Sequence, residues 1–242
     1  MERKRNYIYP DKDTLVAAFT CEFSNILKEY AEEGRQIHIA LSGGSTPISI
    51  FRKLAEQTSR EEWSHVSLYW GDERCVPPDD PESNYGNARK ELIDPLGLDK
   101  ALIHRIRGEE DPREEAERYG NELLKFLPGE SGFPVFDWIW LGLGADGHTA
   151  SIFPQEIELW TSGSPCVFAH HPNSGQSRIS LSGGVLNAAK RVTFITTGEQ
   201  KAQVVREIFM KEGNYNQYPA FYVNPASEDL EWYMDQDAAK LL

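Results

Sequence analysis

The densest run of chemically capable residues is LGLGADGHTASIFP at 141–154. Asp146 and His148 stand two apart there, just after a hydrophobic stretch, among Gly142, Gly144 and Gly147. An imidazole titrates near neutrality and can take a proton from water. A carboxylate on its other nitrogen fixes the tautomer and steadies the imidazolium. The pair predicts a general base with its orienting partner. The hydrophobic run 136–141 predicts a buried strand, and glycines at its end let the backbone turn close to a ligand. In an open α/β sheet, ligands bind at the carboxyl ends of strands.

Other segments complete the candidate site. Ser42, Gly43, Gly44, Ser45 and Thr46 follow the apolar run 37–41 and precede Pro47. Thr46 is the expected N-cap of the next helix, with Pro47 in its first position. Glycines before a helix start expose backbone N–H groups at the positive end of its dipole, a setting for phosphate. Gly71, Asp72, Glu73 and Arg74 follow the apolar run 66–70, with Asn84 and Tyr85 beyond. Charges at a strand end are often only solvated, but an arginine beside two carboxylates could hold a polar substrate. Arg178 begins a strand. Lys201 falls in the first turn of a helix, where it opposes the dipole, which hints at a functional role.

Several chemistries are excluded. Residues 142–147 spell GxGxxG, but no acid follows between Glu158 and Glu199, and Pro154 cuts the next helix short. A dinucleotide site would need an acid about 20 residues on. No cofactor is therefore expected, and the glycines make room for a substrate beside Asp146 and His148. No Gly-Lys-Ser/Thr follows the 42–46 loop, and no Gly-x-Ser-x-Gly elbow exists. His38, His65, His104, His170 and His171 have no metal-ligand spacing, so no metal is expected. Adjacent His170 and His171 would point to opposite faces if extended.

The elements that must position these residues alternate. Helix is predicted at 13–33, with Leu15, Phe19, Phe23, Ile26 and Tyr30 on one stripe. Strands are predicted at 37–41, 66–70, 135–143 (the central one), 166–170, 178–181, 191–196, 221–223 and 231–234. Further helices are predicted at 46–55, 112–127 and 199–211, with a short one at the end. This pattern predicts an α/β protein with a mostly parallel sheet. A (β/α)8 barrel also fits the length, but fewer than eight strand–helix pairs favour an open three-layer sandwich. No repeat or linker divides 1–242, which predicts one domain.

Composition narrows the partners. A formal net charge of −13 argues against non-specific nucleic-acid binding, yet leaves room for an anionic small molecule held by local cations. No apolar stretch approaches the roughly 20 residues of a membrane span. The opening MERKRNYIYP lacks the apolar core of a signal peptide. Cys21, Cys75 and Cys166 are odd in number and far apart, which fits a reducing cytoplasm. A monomer and a homodimer are equally compatible with the sequence.

Together LSGGSTP, GDERCVP with Ser83-Asn84-Tyr85, FDWIWLGLGADGHTASIFP and RISLSGGVLNAAKRVTFITTGEQKA resemble the 6-phosphogluconolactonase family. The resemblance runs from about Leu41 to Lys201, with an echo in WYMDQDAA. It implies a Rossmann-like α/β/α fold shared with glucosamine-6-phosphate deaminases and ribose-5-phosphate isomerases. It implies metal-free hydrolysis of 6-phospho-D-glucono-1,5-lactone to 6-phosphogluconate in the pentose phosphate pathway. His148 would be the base for water and Asp146 its orienter. Gly43, Gly44, Ser45, Thr46, Arg178 and Lys201 would hold the phosphate, and Arg74 would touch the substrate near the phosphate or the reacting end. Ser42, Asp72, Asn84 and Gly144 would complete the substrate contacts. One departure stands out: where the family commonly has Lys-Pro-Pro before the arginine matched by Arg178, this chain reads HHPNSGQSR. Two other readings compete. A deaminase or aldose–ketose isomerase shares the fold, but the deaminases typically show Asp-Glu-Tyr where Asp72-Glu73-Arg74 stands. A non-catalytic sugar-phosphate sensor would be expected to carry a DNA-binding appendage, for which 242 residues leave no room.

Overall fold

The amphipathic stripe at the start of the chain folds as a helix over Lys12–Glu33. Asp11 caps it by accepting from Thr14 N–H at 2.8 Å. Gly34 ends it at φ 62°, returning its N–H to Ala31 and Tyr30 carbonyls. Its inner face sets Phe19 and Phe23 edge-on against Trp140, with ring centroids 4.9 and 5.1 Å apart. Full burial of such a ring stabilises by roughly 1.5–3 kcal/mol. The helix is thereby fastened to the strand that leads into the Asp146–His148 segment.

The computed structural model describes residues 4–242. In chain order the elements are β1 (Lys4–Tyr9), α1 (Lys12–Glu33), β2 (Ile37–Leu41), α2 (Ser45–Gln57), β3 (Val66–Trp70), β4 (Asp72–Arg74), α3 (Asn84–Ala88), α4 (Asp94–Leu96), α5 (Pro112–Phe126), β5 (Trp138–Leu141), β6 (Cys166–His170), β7 (Ser177–Leu181), α6 (Gly183–Ala188), β8 (Val192–Thr196), α7 (Ala202–Met210), β9 (Leu230–Asp235) and α8 (Gln236–Ala239). Six strands form a parallel sheet in the order β1-β9-β8-β5-β2-β3, flanked by helices. This is the expected α/β architecture with a parallel central sheet, consistent with a Rossmann-like sandwich.

The strand order locates the ligand site. From β2 the chain steps outward to β3; from β5 it steps the other way, to β8 and then β9. The direction of winding reverses between β2 and β5, so the loops leaving them diverge and open a crevice. Those loops are the Ser42–Gly44 and Gly142–His148 segments. Because all six strands are parallel, the segments after β3 and β8 leave at the same edge.

A second, antiparallel sheet, β4-β7-β6, flanks that crevice. Asp72 lies opposite Ser180 and Arg74 opposite Arg178. Opposed residues share a face and alternate residues return to it, so all four side chains share one side. Glu73 turns to the other, where it is buried.

Several boundaries differ from expectation. α2 starts at Ser45, with Gly44 rather than Thr46 as its N-cap. Gly44 takes φ 108°, open to glycine but not to threonine. Thr46 instead shares a 2.8 Å hydrogen bond with the Thr197 hydroxyl. The central strand spans four residues, because Gly142 onward leaves the sheet to build the crevice. The 199–211 helix divides into a 3-10 turn, Glu199–Lys201, and α7. The predicted strand at 221–223 is absent. Pro219–Tyr222 forms a 3-10 turn instead, and Ala220 N–H donates to Gly147 O at 3.1 Å. This segment braces the histidine loop: Tyr218 packs where a Gly147 side chain would go, and its hydroxyl donates to Glu207 at 2.7 Å. β1 and β4 are strands that sequence patterning does not mark.

Candidate active site

His148 is held by its own loop. Gly144 N–H donates to His148 O at 2.8 Å, and Thr149 Oγ1 donates to Gly142 O at 2.9 Å. The imidazole Nδ1 lies 2.6 Å from Asp146 Oδ1. Burial works to raise the Asp146 carboxyl, but the hydrogen bond and charge of His148 outweigh it and hold it below the ordinary value. An ionised Asp146 requires the hydrogen on Nδ1, which leaves Nε2 with a free lone pair. A Cβ on Gly144 would fall on His148 Nδ1 and Asp146 Oδ1, so only glycine lets the pair form there.

Beside it lies a cleft of about 300 Å³. Ser42, Gly43 and Gly44 form one wall, Asp72, Arg74 and Asn84 another. Gly144, His148, Arg178 and Lys201 also line the cleft. Asp146 stands behind His148. Ser45 is exposed on the first turn of α2 and Thr46 is buried against Thr197, so neither side chain lines the cleft.

The cleft is polar and cationic, in a chain of net charge −13. Arg178 is only 8% exposed, and its Nε has no partner. Burial, then the neighbouring Arg74 guanidinium, hold Arg178 below the ordinary arginine value. Arg74 donates one NH to Glu82 O at 2.6 Å, while its Nε is buried without a partner. Burial also holds Lys201 below the ordinary lysine value, against a weaker upward pull from Asp146. Asn84 donates to Asp72 O at 2.9 Å, leaving its buried Oδ1 unpartnered. It fits only because Gly43 lacks a Cβ. Two cleft-lining arginines, each with a buried Nε–H left unpaired, fit a ligand that brings acceptors.

Glu73, an acidic residue, supports the site from behind. It accepts from Arg74, Asn84 and Tyr85 amides at 2.7–2.8 Å and from Ser83 Oγ at 3.1 Å. Burial pushes its carboxyl up to about 7, against the pull of those amides. Asp72 Oδ2 accepts from Ser151 Oγ at 2.7 Å, which ties the histidine segment to the second sheet.

Six further cleft residues, Gly142, Leu143, Ala150, Ser151, Phe153 and His171, were not singled out as contacts by sequence. Five lie within the 141–154 segment, where proximity to His148 was the available signal. His171 had none. The two adjacent histidines diverge: His170 Nδ1 pairs with Glu156 at 3.2 Å, while His171 reaches the cleft. Among the described residues, no group of three or more His, Cys, Asp or Glu could hold a metal ion.

Comparison with known proteins places this arrangement. The family model for glucosamine-6-phosphate isomerases/6-phosphogluconolactonase matches residues 10–232. The chain belongs to that family. The 6-phosphogluconolactonase of Haemophilus influenzae is 43% identical over 215 residues, covering 88% of this chain and 90% of its own. The crystal structure of a devB protein superposes with a TM-score of 0.90 at 42% identity, over 98% of each chain. That of the Trypanosoma brucei 6-phosphogluconolactonase gives 0.86 at 26% identity, over the whole of both chains. In this member of the family, the cleft sits where the winding of the sheet reverses, between the neighbouring parallel strands β2 and β5.

Proposed function

We propose that this protein is a 6-phosphogluconolactonase, hydrolysing 6-phospho-D-glucono-1,5-lactone to 6-phospho-D-gluconate. The observation that carries the reading is the 2.6 Å Asp146–His148 contact, which frees Nε2 beside a cleft walled by Arg74, Arg178 and Lys201. A lactone is an activated ester, and water is a sufficient nucleophile once its proton has a destination. His148 Nε2 takes that proton as water attacks C1. Asp146 stabilises the imidazolium. The oxyanion is met by N–H groups of the glycine loops or by Arg74. As the tetrahedral centre collapses, the C1–O5 bond breaks and the imidazolium returns the proton to the ring oxygen. The phosphate supplies binding energy remote from C1, with Arg178 and Lys201 as its partners beside the Gly43–Gly44 amides. No step calls on a metal or cofactor.

The wider reading belongs to the same proposal. One hydrophobic cluster runs through both sheets, which supports a single domain. Among the described residues no helix is long and apolar enough to cross a membrane, and all three cysteines are free thiols, which suits the cytoplasm. The test is to generate the lactone in situ and follow 6-phosphogluconate above the spontaneous rate. His148→Ala is expected to lower kcat by roughly 10²–10⁴-fold. Near-normal turnover by this variant would remove His148 from the mechanism.

A further inference from the structure

The cleft holds a second imidazole, opposite in hydrogen-bonding sense to the first. His171 closes a tight turn after β6: its N–H donates to Gln176 O at 2.9 Å, and Gly175 N–H donates to His171 O at 2.8 Å. Its Nδ1 accepts from the backbone N–H groups of Asn173 at 3.3 Å and Ser174 at 3.2 Å. A ring nitrogen that accepts carries no hydrogen, so the neutral ring bears its hydrogen on Nε2. Nε2 makes no hydrogen bond among the described residues, and the ring lines the cleft. Phe153, buried, packs against both imidazoles, its ring centroid 4.7 Å from that of His148 and 5.2 Å, edge to face, from that of His171.

The loop amides therefore set what each histidine can do. His148 gives its Nδ1 hydrogen to Asp146 and presents a lone pair. His171 cannot act as a base at Nε2 without placing an Nδ1 hydrogen against two N–H donors. It presents a fixed donor.

We propose that His171 is a substrate-binding residue, donating its Nε2 hydrogen to an oxygen of the sugar phosphate on the Phe153 side of the cleft. The identity of that ligand rests on the lactonase reading.

Two substitutions separate this role from a structural one. Asparagine carries its amide oxygen near the Nδ1 position, so His171→Asn keeps the acceptor for the loop amides and loses the donor. Glutamine carries its amide nitrogen near the Nε2 position, so His171→Gln keeps a donor and loses the loop acceptor. Steady-state kinetics on the lactone are expected to show KM raised about tenfold in His171→Asn, the scale of one hydrogen bond, with kcat nearly unchanged. His171→Gln should stay within about threefold of wild type in KM. The reverse order would make His171 a loop anchor and overturn the proposal. So would equal behaviour of the two variants, whether both were normal or both impaired. Failure of the lactonase reading has a different signature: no acceleration by wild type itself.

Discussion

Arg178 is where stability and binding should pull in opposite directions. It is 8% exposed, faces Arg74 across the β4–β7 ladder, and leaves Nε without an acceptor. Asp72, Glu82 and Glu73 favour its charge, yet burial and Arg74 outweigh them. A buried donor without a partner costs about 1–3 kcal/mol. Arg178→Met keeps an unbranched stem for packing and removes both the orphan donor and the repulsion. In a chain of this size about 1 kcal/mol moves Tm by roughly 2–4 °C, so the ligand-free variant is expected to melt about 2–12 °C above wild type. Binding should move the other way. Loss of hydrogen bonds to a phosphate, worth about 1.5–3 kcal/mol, raises KM roughly ten- to a hundredfold. Scanning calorimetry with and without 6-phosphogluconate, beside initial rates, reads both effects. The ligand should raise the Tm of wild type more than that of the variant. A lower melting point for ligand-free Arg178→Met would refute the reasoning, since Arg178 would then be fastening β4 to β7 rather than waiting for an anion.

Asp146→Asn should lower kcat by roughly 10²–10⁴-fold, because an amide can donate to Nδ1 and move the hydrogen to Nε2, the wrong tautomer for a base. The same variant tests pH linkage. The Asp146 carboxyl is held below its ordinary value, so its stabilisation is present above the unfolded value of about 3.9 and is lost as pH falls through the lower folded one. The Tm gap between wild type and Asp146→Asn should therefore narrow as the solution is acidified below about pH 4; a constant gap from neutral to acid pH contradicts that pairing. Gly144→Ala should cost roughly 10²-fold in kcat with the far-ultraviolet circular dichroism unchanged, since the added Cβ lands on the Asp146–His148 contact and lies outside the sheet. Wild-type rates from this variant would mean that the dyad tolerates displacement.

Legibility of the fold followed local chemistry. β2, β3 and β6 are short apolar runs bounded by polar residues, and their limits match the structure to the residue. β9 was readable within one residue at each end. β1 was not, because KRNYIY has little alternation and becomes a strand through parallel pairing with β9, more than 220 residues away in sequence. Phe221 and Tyr222 have the residue types of a strand, but Pro219 and contact with the Gly147 loop wind them into a turn.

The site was legible where several functional types crowd one segment, and obscure where function sets a residue against its surroundings. Asp72-Glu73-Arg74 reads as a solvated loop because three consecutive charges rarely form a buried strand. It becomes one because each charge has separate work: Asp72 ties down Ser151, Glu73 gathers the α3 amides, and Arg74 faces the cleft. Arg178 is equally improbable by composition, a nearly buried cation in a strand with another arginine opposite. Such conflicts between local preference and final position mark places where a ligand completes the structure. His171 shows the limit of that rule. Its role depends on which ring nitrogen the next three residues occupy, and residue type alone carries no record of a tautomer.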